Sequence, residues 1–268
     1  MYAYRVAYDG RAYRGFQRQP HGETIEDELF RGLDRLGVDF DDGAPAGYSA
    51  AGRTDAGVSA RAQTIAFEAP EWLTPRAFDS ELPGDVRAWA RADVPADFDA
   101  TLDATRRVYR YVLVAPDDEV DDALATTACR RLSGTHDVHN LTPDDDRTDR
   151  KLSVSCSREG EPLVIDCRSG GFSRQLVRRI VSVVESVATE SREPAFLDRI
   201  LSEERLSGPD GVSPAPPEPL VLFSVTYPDV EFHPDEVALE GTREFFEARR
   251  REQVASTCIV ELLSEPDR

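Results

Sequence analysis

At 268 residues with 40% hydrophobic content, the chain can bury a sizeable core, as one large domain or two smaller ones, and it holds no apolar run near the about eighteen residues that mark a bilayer span. Its net charge of −19 argues, on composition alone, against a nucleic-acid partner. The four cysteines, Cys129, Cys156, Cys167 and Cys258, show no CxxC spacing, which argues against a disulfide framework and against zinc.

Residues 2–8 place Tyr2, Tyr4, Val6 and Tyr8 on one face at period two, which predicts a strand and offers no signal segment, so a cytoplasmic protein is expected. A polar, arginine-rich loop over 9–23 follows. Thr24 reads as the N-cap of a helix with Asp27 as a weak capping-box partner; Ile25, Leu29, Leu33 and Leu36 form its apolar stripe and Gly37 ends it. A loop through Asp41, Asp42 and Pro45 leads to Ala-Gly-Arg-Thr-Asp-Ala-Gly-Val at 51–58, where Asp55 lies between Gly52 and Gly57, with Arg53 and Thr54 just before it. Glycines on both sides let the backbone turn tightly and another molecule approach closely. The residues alone leave two readings open: a polar turn between strands, since turns favour Asp and Gly for local reasons, or an acid presented to a substrate. A strand at 63–67, a short helix from Pro75, a turn at Leu82-Pro83-Gly84-Asp85 and a strand at 86–92 complete this half.

The second half begins with a strand at 106–114, in which Arg107, Tyr109, Tyr111 and Leu113 share one face. An acidic surface loop at 117–122, a short helix at 123–132 stopped by Gly134, and a hairpin of 152–158 with 163–168 come next. The strongest helical pattern covers 173–188, with Leu176, Ile180, Val183, Val184 and Val187 on its apolar side and Arg174 and Arg178 one turn apart on another. A last strand at 220–227 follows Pro214-Ala215-Pro216-Pro217, and beyond Pro228 the tail reads as an added helix with Phe245, Phe246 and a run from Arg249 to Arg251. Strands and helices mixed without strict alternation predict an α+β fold, divided as 1–103, 104–229 and a helical extension at 230–268. His136 and His139, the one pair near metal-ligand spacing, fit a loop, and no metal is expected.

Charge is unevenly spread. Lys151 is the only lysine, so 31 of the 32 basic residues are arginine. Residues 5–18, 52–61, 104–114 and 168–180 together carry +11 and the remaining chain −30, so a fold that gathers these stretches makes a basic site in an acidic shell. Such a shell, almost free of lysine, points to a protein from a salt-loaded cytoplasm. At molar salt, where the Debye length is about 3 Å, distant carboxylates barely repel a polyanion while contact arginines still act.

Taken together, Tyr8-Asp9-Gly10 through Gly15-Phe16-Gln17-Arg18-Gln19, Gly52-Arg53-Thr54-Asp55-Ala56-Gly57-Val58, Leu82-Pro83, Tyr109-Arg110-Tyr111 and Phe172 through Val177-Arg178 resemble the tRNA pseudouridine synthase A family, in its order and near its spacing, over roughly residues 2–229. The resemblance implies the pseudouridine synthase fold: two ferredoxin-like halves forming an extended antiparallel sheet with a central cleft. It implies Asp55 as the catalytic nucleophile, Tyr109 as the ring that stacks on the target base, Arg178 as the partner of the aspartate, and Arg53 as the motif arginine associated with nucleotide flipping. It implies isomerisation of uridine to pseudouridine in the anticodon stem-loop of tRNA, at positions 38, 39 and 40, without cofactor, commonly as a homodimer. The residue types suit that chemistry. An ionised carboxylate can assist at the sugar carbon or the base, an adjacent arginine keeps it ionised in a closed cleft, and an extruded base needs an aromatic face. From the strand alone Tyr109 and Tyr111 both read as core; the family pattern promotes only Tyr109. Asp9 reads as a cap on the loop after the first strand and stays outside the catalytic set. Ser59 stands where the family usually has histidine, Thr101 where many members have arginine, and Glu26 where glutamine is common, which puts RNA contact at Thr101 and Glu26 in doubt. Two rivals stand beside this reading. One is a non-catalytic tRNA-binding chaperone of the same fold. The other is a nucleoside hydrolase, which lacks the second carboxylate that glycosidases generally use.

Overall fold

Thr24 and Asp27 form a complete capping box in the computed structural model, which describes residues 1–115 and 119–264. The Thr24 hydroxyl accepts from the Asp27 N–H at 3.2 Å and the Asp27 carboxylate accepts from the Thr24 N–H at 3.1 Å, so two otherwise orphaned donors are satisfied at the start of α1 (Ile25–Arg35). The first half runs β1 (Tyr2–Tyr8), α1, a small ribbon of β2 (Phe40–Asp41) and β3 (Ala44–Pro45), then β4 (Ser49–Ala50), β5 (Ser59–Phe67), α2 (Pro75–Asp79) and β6 (Val86–Asp93). The second runs β7 (Arg106–Leu113), α3 (Asp122–Leu132), β8 (Gly134–Asp137), β9 (Asp149–Arg158), β10 (Leu163–Ser169), α4 (Leu176–Ala188), α5 (Phe196–Ile200) and β11 (Leu220–Thr226). A short β12 (His233–Pro234) and α6 (Glu236–Ser264) complete it.

The main sheet has the strand order β12-β6-β1-β5-β11-β7-β10-β9-β8, with β4 also on β5. Each half is therefore a split βαβ of ferredoxin type, β6-β1-β5-β4 in one and β11-β7-β10-β9 in the other, with antiparallel neighbours throughout. The halves meet where β11 lies parallel to β5, through Val221 opposite Ser59 and Leu222 opposite Ala60. That joint is short, whereas β1 pairs with β5 from Tyr2 opposite Phe67 to Tyr8 opposite Ala60.

In the first half Tyr4 stacks on Phe67 at 5.2 Å and meets Phe78 edge-on at 5.6 Å, with Leu29 and Leu33 of α1 fully buried beside them. Each such side chain contributes about 1.5–3 kcal/mol by leaving water. In the second half α3 packs on α4 and on β9, burying Leu132, Ile165, Ile180 and Val184. Tyr111 is buried in the core, as the strand pattern required.

Some sequence expectations change. β5 begins at Ser59 instead of 63, because the strand extends back to pair with Tyr8 and with β11. α4 begins at Leu176 instead of 173, because Gln175 takes a left-handed conformation (φ 59°) at the N-cap, where its side chain makes no capping bond and accepts from Arg179 Nη2 instead. The acidic loop expected at 117–122 falls, at 117 and 118, outside the described residues. The tail, expected to be wholly helical, first adds β12 to the sheet edge and then runs as α6 for 29 residues. Ala238 and Thr242 bury, and Phe245 packs on Gly84; farther out, Val254, Ile259, Val260, Leu262 and Leu263 are exposed. Among the described residues no helix is long and apolar enough to cross a membrane.

Candidate active site

The segment 51–58, between β4 and β5, is held at its backbone carbonyls by groups from neighbouring segments. The Thr101 hydroxyl donates to the Ala50 carbonyl at 2.6 Å, Arg107 Nε to Ala51 at 2.7 Å, Gln63 Nε2 to Gly52 at 2.6 Å and the Phe16 N–H to Thr54 at 3.0 Å. The Thr54 hydroxyl shares a hydrogen bond of 2.8 Å with the buried Tyr8 phenol. A row of carbonyls fixed in this way makes the turn rigid, which a glycine-flanked sequence does not by itself require. The two glycines differ. Gly57 has φ 83°, a conformation that disfavours a side chain, and Pro217 lies 3.0 Å from where its Cβ would be. Gly52 has no positive φ, and a Cβ there would make only an ordinary contact with the Tyr109 hydroxyl at 3.5 Å, which places the two next to each other.

From this turn the Asp55 carboxylate projects into a cleft of about 1160 Å³ between the halves. Arg178, in the first turn of α4, donates from Nη1 to Asp55 Oδ2 at 3.2 Å. Its Nε donates to the Ala215 carbonyl at 2.6 Å, which fixes the guanidinium before any ligand arrives. The Arg178 side chain is 15% exposed and that of Asp55 34%, so the pair is partly desolvated with the acid on the open side. Tyr109 lies mid-way along β7 and is 8% exposed, its ring edge-on to Phe172 at 5.2 Å. Burial pushes its phenol up to about 12; the nearby Arg107 charge opposes that rise and Asp55 adds to it. Arg53 is exposed at the cleft and has no hydrogen bond or ion pair with any described residue.

Asp55, Tyr109, Arg53 and Arg178 thus all line one cleft. Arg14, Arg107 and Arg174 line it too, against Asp55 as the one acid among the described lining residues. Arg14 is neutralised by Glu23 at 2.9 Å and Arg174 by Asp144 at 3.3 Å, which leaves Arg53 and Arg107 without a carboxylate among the described residues. The basic stretches gather only in part. Arg5 turns to the Val225 carbonyl and the Phe232 ring, Arg110 and Arg168 pair with Asp166, and Arg61 and Arg110 both lie over Phe223.

The departures from the family pattern have structural roles. Ser59 Oγ accepts from the Gly10 N–H at 3.0 Å. Glu26 is buried, accepting from the Arg18 N–H at 2.7 Å and the Tyr48 hydroxyl at 2.9 Å, and Thr101 braces the Ala50 carbonyl. Asp9 caps the turn after β1 by accepting from the Arg11 N–H. Sequence reasoning missed Arg107, Gln63, Tyr8 and Phe172 as parts of the site. Arg107 left one legible trace: it shares a strand face with Tyr109 at period two.

The sequence pattern of the tRNA pseudouridine synthase family matches residues 128–228. The chain is 58% identical over 267 residues to a protein named tRNA pseudouridine synthase A in Natronomonas pharaonis, covering 100% of both chains. It is 54% identical over 268 residues to the protein of that name in Haloarcula marismortui, covering 97% of each. A third, in Methanothrix thermoacetophila, is 38% identical over 256 residues, covering 93% of this chain and 92% of its own.

Proposed function

The chain belongs to the tRNA pseudouridine synthase A family and is a pseudouridine synthase acting on tRNA, and from that premise we propose that Asp55 is its nucleophile and that the target uridines lie in the anticodon stem-loop, at positions 38, 39 and 40. The observation that carries this reading is the Arg178–Asp55 pair, set beside the Tyr109 ring in one cleft.

The reaction breaks the bond from the sugar carbon C1′ to N1 of uracil, turns the base, forms a bond from C1′ to C5, and moves the C5 proton to N1. No atom is lost, so the site must detach the base and still retain it. Arg178 holds Asp55 Oδ2 and leaves Oδ1 without a partner among the described residues, free to attack. The same guanidinium, anchored on the Ala215 carbonyl, fixes the direction in which the carboxylate points. Tyr109 offers a face for the extruded base, with stacking worth on the order of 1–3 kcal/mol. Arg53, exposed and unpaired, takes a phosphate of the flipped nucleotide. A cytoplasmic homodimer belongs to the same reading, supported by the family resemblance.

Asp55→Asn keeps the shape of the side chain and removes the nucleophile. Pseudouridine formation in tRNA transcripts should fall by about 10⁴-fold or more, while tRNA binding persists. Full activity in the Asn variant would return the chain to the chaperone reading, and release of free uracil would favour the hydrolase.

A further inference from the structure

Arg107 is a buried cation without a carboxylate partner among the described residues, 6% exposed, two residues ahead of Tyr109 on the same face of β7. Its guanidinium donates Nε to the Ala51 carbonyl at 2.7 Å, Nη2 to the Thr101 carbonyl at 2.7 Å and Nη1 to the Gly170 carbonyl. Those acceptors belong to three separate segments: the Asp55 turn, the connection between the halves, and the loop that carries Phe172 into α4. Burying an unpaired charge is costly, and three carbonyl dipoles compensate only part of that cost. A neutral side chain would fill the space with less penalty. What the arginine adds is a planar fork that spans three segments at once, which a lysine ammonium cannot do. The span matters here because the sheet joins the halves through so few residues, Ser59 and Ala60 against Val221 and Leu222.

We propose that Arg107 is a positioning residue for the isomerisation: its fork sets the Asp55 turn of one half against Tyr109 and the Phe172 loop of the other. Turnover therefore depends on its geometry, beyond its charge, while tRNA affinity does not. The proposal rests on Asp55 being the nucleophile.

The test compares Arg107→Lys, which keeps the charge, and Arg107→Met, which keeps the bulk, by single-turnover rate, tRNA Kd and amide hydrogen exchange. A misplacement near 1 Å costs about 100-fold in rate. Both folded variants should lose about that much, with Kd within about threefold of the parent and faster exchange confined to residues 50–56 and 170–173. Should the Met variant fail to fold, the Lys variant carries the test. A Lys variant with the parent's rate, a loss expressed wholly in Kd, or failure of both variants to fold would overturn the proposal. If Asp55→Asn is inactive while Arg107→Lys keeps full rate, this inference alone falls. If Asp55→Asn stays active, the reading beneath it falls.

Discussion

The first half delivers its acid on a turn held by backbone carbonyls, whereas the second delivers Tyr109 from the middle of β7 and Arg178 from the first turn of α4. Both halves share one core order, strand, helix, two strands, helix, strand, with β2, β3, β8 and α5 added to it. Regular elements aim a side chain along a direction fixed by core packing. A turn has no such packing and must be braced from outside, and here two of the braces, Thr101 and Arg107, come from beyond the first half's strands. The duplicated architecture thus makes one site only when the two parts are locked together.

Removing Arg178 breaks that complementarity most directly. In Arg178→Met the half-buried Asp55 carboxylate loses its opposite charge; fully buried pairs lose about 3–5 kcal/mol in this way, and with Asp55 34% exposed a smaller loss is expected. Single-turnover rates should fall by about 10²-fold, with a smaller change in tRNA affinity. A Met variant at the parent's rate would show that the pair does no chemical work. Next in size is the base platform. Tyr109→Leu removes the aromatic face, and binding of the target should weaken by about tenfold, whereas Tyr109→Phe should stay within about twofold because the hydroxyl has no hydrogen-bond partner among the described residues. Equal losses in both would move the emphasis from the ring to the hydroxyl.

A further effect is titrational and is read in stability. The Tyr109 phenol is raised from 10.0 to about 12 in the folded protein, so between those values the unfolded chain releases a proton that the native state keeps. Stability from this group is complete below pH 10 and is lost as pH rises through about 12, a change of about 2–3 kcal/mol. Unfolding free energies measured from pH 9 to 12 should fall less steeply for Tyr109→Phe than for the parent. Identical slopes would mean that the ring is open to water.

The sequence made the acid, its arginine partner and the tyrosine visible because each lies in a short motif with a distinctive neighbourhood, and the period-two pattern of β7 placed Tyr109 on the buried face. The topology was harder to see. No residue pattern announces that β11 lies parallel to β5, since that contact is made by Ser59 and Ala60 with Val221 and Leu222, far apart in the chain. The braces were hidden for a related reason. Arg107 and Gln63 act through carbonyl oxygens of other segments, and a carbonyl has no residue identity to read. Of the two glycines that flank Asp55, only Gly57 has a positive φ, a difference that the symmetric spelling of the motif does not reveal.

The parallel joint also sets an order of events during synthesis. The strand that seals the Ser59–Ala60 edge of β5 is β11, the last strand of the second half. A ribosome adding roughly 5–20 residues per second leaves that edge open for on the order of ten seconds, while about 150 further residues emerge. Until β11 arrives, the Asp55 turn, already held by Phe16, Gln63 and Tyr8 of its own half, lies beside an unpaired strand edge, and any chain released before Val221 and Leu222 lacks the joint that sets the two sides of the cleft together.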